Sequence, residues 1–160
     1  MKKLKKLLII IAAAVLLIIA CAVGYFWGFH QGIRAGHLTA EVAEFTVVHE
    51  HLADQMANAD CLALKEALKE YLALMEKYKD LERGLVLSRN TYYADKMLTH
   101  ARLARIEHKL GNETEAGNEM KLAMEACKQQ GWQDCSDGKI VSFTRKIEEK
   151  NPIDCLSNSK

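Results

Sequence analysis

Proline is nearly absent: Pro152 stands alone in 160 residues, and aromatic side chains make up only 7% of the chain. Sheets draw on aromatic and β-branched residues and on proline-rich turns, so this scarcity, set beside abundant Ala, Leu, Glu and Lys, argues for helices. An excess of one charge is missing too, with Lys and Arg at 22 against 21 for Asp and Glu. Nucleic-acid binding needs a basic surplus, so no nucleic-acid partner is expected. The five cysteines form no Cys-x-x-Cys pair, which excludes a thioredoxin-type motif and a zinc knuckle. No glycine-rich phosphate loop follows a strand pattern, and no Ser, Cys or Lys sits in a recognisable nucleophile context. The expectation is a protein without catalytic residues, cofactor or metal.

What is present begins with Lys2, Lys3, Lys5 and Lys6, followed by an uncharged, almost wholly apolar run over residues 7–27. As a helix this run is about 31 Å long, matching a hydrocarbon core of about 30 Å. Tyr25, Phe26, Trp27 and Phe29 stand at its far end, where rings settle at a membrane interface, and the lysines hold the other end in the cytoplasm. The short, lysine-rich N-terminus has a bacterial look. The predicted organisation is a cytoplasmic basic stretch at 1–6, a transmembrane signal anchor at 7–29, a juxtamembrane glycine-rich joint at 30–37 and an extracytoplasmic helical domain at 38–160. This places a single-pass protein in the cell inner membrane with its C-terminal domain in the periplasm. Two processing readings compete. Ala20-Cys21-Ala22 has the small-x-small form of a signal-peptidase site, and Ile18-Ile19-Ala20-Cys21 resembles a bacterial lipobox, which would make Cys21 a lipidation site. The apolar run continues past Cys21 to Phe29, longer than the roughly 7–15 residues of a signal peptide, and favours an uncleaved anchor.

Gly24, Gly28, Gly32 and Gly36 recur every four residues across the membrane exit. Each glycine in a water-exposed helix costs about 1 kcal/mol relative to alanine, so the row calls for a compensating role. On a helix it winds by about 40° per step and forms a groove of the kind used in glycine-mediated crossings. Packing against a second copy or a partner helix is one reading, and a flexible exit is the other.

Beyond the anchor lies enough chain for one domain. Leu38, Val42, Phe45, Val48, Leu52 and Met56 recur at three and four, the period of an amphipathic helix. Asp60 is a candidate N-cap for a second helix striped by Leu64, Leu68, Tyr71, Met75 and Tyr78 and ending near Gly84. A third helix is predicted from an Asn90 cap to Leu110, a fourth from Glu113 to Lys128, and a short fifth behind Ser136 with Ile140, Phe143 or Val141, and Ile147 inward. The tail after Ile153 is expected to be loose apart from Cys155. If the helices after Cys61 alternate up and down, Cys61 and Cys155 fall at one end of the bundle and Cys127 and Cys135 at the other. The preferred disulfides are therefore Cys127 with Cys135 and Cys61 with Cys155, in a compartment where such bonds persist. The predicted fold class is all-α: one N-terminal transmembrane helix and a small bundle of four or five helices stapled by disulfides.

Residues 97–130 resemble one tetratricopeptide repeat. Leu103-Ala104, the turn Lys109-Leu110-Gly111-Asn112, and Ala116, Met120 and Ala123 agree with that family's pattern. His100, Glu107 and Lys128 stand where the family has Trp, Tyr and Pro, and no second copy follows. The resemblance implies a helical hairpin that binds or scaffolds proteins. His49 and His51 are two apart, so on a helix they point about 200° apart and make a poor metal pair. The favoured expectation is an interaction or accessory subunit among envelope proteins, and the alternative is a periplasmic module that binds or senses a small ligand or metal.

Overall fold

The computed structural model describes residues 2–58, 60–79, 88–150 and 152–157, with side chains for all of these except 2–14, 34, 37, 38, 89 and 157. The side chains of the N-terminal lysines and of Leu38, and the whole of Gly84, thus lie outside the described set. Among the described residues there are six helices and no strand: α1 (Lys2–Asn58), α2 (Cys61–Tyr78), α3 (Arg89–Lys109), α4 (Glu113–Gln130), α5 (Asp137–Glu148) and α6 (Asp154–Ser157). The chain divides into two compact units, Met1–Ala40 and Glu41–Lys160.

The described residues of the first unit, 2–40, are helix alone. No proline interrupts it, and all four glycines of the row keep helical backbone. Val15–Ile33 is long and apolar enough to cross a membrane, and none of it is buried within the chain. Tyr25 and Phe29, one turn apart, stack with ring centroids at 6.2 Å.

The second unit is a disulfide-stapled bundle. Asp60 caps α2, its Oδ1 accepting from the Ala63 N–H at 2.9 Å. The stripe below it packs inward, with Leu64, Leu68 and Met75 wholly buried. Helix α3 starts two residues earlier than an Asn90 cap would allow. Ser88 is its cap, accepting from the Thr91 N–H, and the Ser88 and Thr91 hydroxyls also meet at 2.8 Å. Both Ser and Asn are good caps, and this second hydroxyl contact is available to Ser88 alone. Helices α3 and α4 both end on a left-handed glycine. Gly111 at φ +80° and Gly131 at φ +87° close the turns, and the next residue's N–H reaches back five residues, Asn112 to Glu107 and Trp132 to Cys127.

The core has two parts. One joins Phe45, Val48 and Leu52 of α1 to α2, to Leu103 and Ile106 of α3, and to Ile153, Cys155 and Leu156. The other joins Met97 and Ala101 of α3 to Ala123 and Cys127 of α4 and Ile140 of α5. The tail is therefore not loose through Leu156: Ile153, Cys155 and Leu156 are buried, α6 forms, and Lys109 Nζ donates to the Cys155 carbonyl at 2.5 Å. In α5, Ile140 is buried as the periodicity predicts, whereas Thr144 and Glu148 complete the inward face and Val141, Phe143 and Ile147 are half-buried. The disulfides join Cys61 to Cys155 and Cys127 to Cys135, with Cα atoms 5.2 and 5.7 Å apart. Trp132, between the second pair, sits edge-on to Phe143 at 4.7 Å.

Candidate interaction surfaces

A Cβ built at Gly24, Gly28, Gly32 or Gly36 would meet nothing within 4 Å. The row is open within the chain. The large side chains around it, Val23, Phe26, Trp27 and Phe29, are exposed as well. Cys21 is a free, exposed thiol. At 100° per residue it lies within about 20° of Gly28 and Gly32 around the helix, so it reports on the same face.

In the second unit, a groove of about 620 Å³ runs between α1 and α3. Val42, Phe45, Leu52 and Met56 line one side, Leu98, Thr99 and Arg102 the other, and Tyr71 and Asp95 its polar floor. The α1 residues are spaced at three and four because this is the helix's amphipathic face. Val42, on the predicted inward stripe, is exposed in this groove rather than buried. Tyr71 Oη donates to Asp95 Oδ2 at 3.0 Å. Burial raises the Asp95 carboxyl above its ordinary range against the opposing pull of that hydrogen bond and of Arg102. Burial, with the neighbouring Asp95 charge, also raises the Tyr71 hydroxyl. A second groove of about 780 Å³ lies among α3, α4 and α5, where Arg105, Lys109 and Arg145 alternate with Glu113 and Asp137.

The remaining polar side chains mostly tie helices together. Lys65 of α2 meets the buried Glu107 of α3 at 2.7 Å, and Asn112 donates to the same carboxylate. Arg102 and Arg105 of α3 converge on Glu148 of α5. Glu76 accepts from Lys96 and Tyr92, both at 2.5 Å, and these bonds hold its carboxyl down at about 2. His100 pairs with Glu119 at 2.6 Å, and His108 with Glu113 at 2.8 Å. His49 lines the α1–α3 groove, while His51 faces a different depression beside α2, as their angular separation requires. Among the described residues no three His, Cys, Asp or Glu side chains are arranged to hold a metal ion. The lining of the groove was not foreseen from the sequence, because it brings the α1 stripe together with Asp95, Leu98 and Arg102 of α3.

Comparison of the chain with protein-family models, curated proteins and solved structures finds no match.

Proposed function

We propose that this protein is a single-pass anchor carrying an extracytoplasmic interaction module, a scaffold or accessory subunit of a bacterial envelope rather than an enzyme. The observation that carries the reading is the wholly unburied apolar stretch Val15–Ile33. A soluble protein seldom leaves so large an apolar surface uncovered, and a bilayer covers it without a partner chain. The two disulfides support an oxidising compartment such as the periplasm for the bundle. The open glycine row supports close packing of the anchor against a second copy or another protein's helix. The α3–α4 hairpin keeps small buried residues, Ala101, Ala104, Ala116 and Ala123, which agrees with a tetratricopeptide-like protein-binding role.

Amine-reactive crosslinking in native membranes tests this. The expected product is a discrete adduct larger than the monomer, abolished in a Gly28→Leu/Gly32→Leu variant. Recovery of monomer alone would overturn the reading.

A further inference from the structure

The α1–α3 groove has the dimensions and composition of a small-molecule site. Its volume of about 620 Å³ falls inside the range of roughly 300–1,000 Å³ over which such sites occur. Phe45, Leu52, Met56 and Leu98 supply an apolar lining, into which a single half-buried carboxylate, Asp95, is set. Tyr71 occupies Oδ2, and no described side chain donates to Oδ1. The sign of the charge is also set. Arg102 lines the groove but directs Nε to Glu148 at 3.4 Å, and Glu148 accepts from Arg105 as well. Two carboxylates, Asp95 and Glu50, line the groove against one guanidinium, Arg102, with His49 beside them, so the formal count leaves one negative charge.

We propose that this groove binds a small organic ammonium ion with an apolar or aromatic body. The ammonium N–H groups donate to Asp95 Oδ1, and the body lies along Phe45, Met56 and Leu98. Phe45 and Tyr71 meet edge to face with centroids 6.5 Å apart, adding an aromatic floor that favours a cation over an anion. The ligand site does not depend on how the anchor associates, and either can fail without the other.

The test uses the full chain in lipid nanodiscs with methyl-labelled methionine, following the Met56 resonance during titration with phenethylamine. Phenethyl alcohol and phenylacetate carry the same body with a neutral or an anionic head. The expected result is a saturable Met56 shift with phenethylamine, binding about tenfold weaker with the alcohol, and none with phenylacetate. Asp95→Asn should weaken phenethylamine by about the same factor. Thr46→Trp, at an exposed position on the groove wall, should block binding while retaining the helical circular-dichroism spectrum, and it keeps the test decisive if Asp95→Asn does not fold. A Met56 shift that does not saturate, equal affinity for the alcohol, or undiminished binding in Thr46→Trp would overturn the proposal.

Discussion

The two units are built from the same secondary structure and differ in the fate of their apolar side chains. In Met1–Ala40, Leu16, Leu17 and Ile18 are 67–68% exposed. In Glu41–Lys160, Leu64, Leu68 and Met75 are at 0%. Periodicity is what separates them. Helices α2 and α5 alternate apolar and charged residues at three and four, which gives each an inward stripe and a wet face, while α3 is enclosed by its neighbours and has no exposed residue from Tyr92 to Glu107. Residues 15–29 are apolar all round, so no single face can be hidden and the whole circumference needs an apolar solvent or partner. A glycine is correspondingly different in the two settings. Gly111 and Gly131 are required by a positive φ at a helix end, whereas Gly28 and Gly32 sit in regular helix with open space beside them.

The contrast can be broken or sharpened by substitution, beginning with the largest expected effect. Replacing Cys61 and Cys155 by serine removes a crosslink spanning 94 residues and should destabilise the second unit by about 4–5 kcal/mol in urea unfolding. The same replacement at Cys127 and Cys135, 8 residues apart, should cost about 2.5 kcal/mol. Leu68→Ala empties a wholly buried position and should cost about 2–5 kcal/mol, while Leu17→Ala should leave the unfolding free energy from urea titration within about 0.5 kcal/mol of the parent. Equal effects of the two leucine substitutions would erase the distinction between the units.

The smallest effect expected is electrostatic. The Glu76 carboxyl is depressed from 4.5 to about 2 by its bonds to Lys96 and Tyr92. A depressed acid contributes stability above its unfolded value and loses it as pH falls through the folded one. Acidification from about 4.5 to about 2 should therefore weaken the bundle, and Glu76→Gln should remove part of that dependence. Because the side chain is 40% exposed, water screens the interaction and the contribution is held to about 1 kcal/mol or less. Urea titrations of the two proteins at pH 7 and pH 3 read it directly.

Much of the fold was legible in the sequence where the determinants are local. Asp60 is a cap with helix immediately behind it, and the glycines at 111 and 131 stop helices for a reason visible in one residue. The disulfide pairs follow from helix order, because alternating directions bring Cys61 and Cys155 to one end. The misses are tertiary. Thr144 and Glu148 read as polar positions on α5, yet Glu148 is buried because Arg102 and Arg105 reach it from α3, over forty residues away. The tail orders because Ile153 and Leu156 find the core and Cys155 is tethered to α2. The groove joins the α1 stripe to residues 95–102, a juxtaposition that spacing within either helix cannot reveal.

The central claim, that the anchor associates through its glycine face, is tested most directly by light-driven crosslinking in membranes. Cys21, the free thiol, carries a benzophenone maleimide on the face of Gly28 and Gly32, and in a Cys21→Ala/Phe26→Cys variant the probe moves about 140° around the helix, to within about 40° of the opposite face. The account predicts adducts from position 21, few from position 26, and loss of the position-21 adducts when Gly28 and Gly32 are replaced by leucine. Equal yields from the two positions, or position-21 adducts that survive the leucine substitutions, would contradict it.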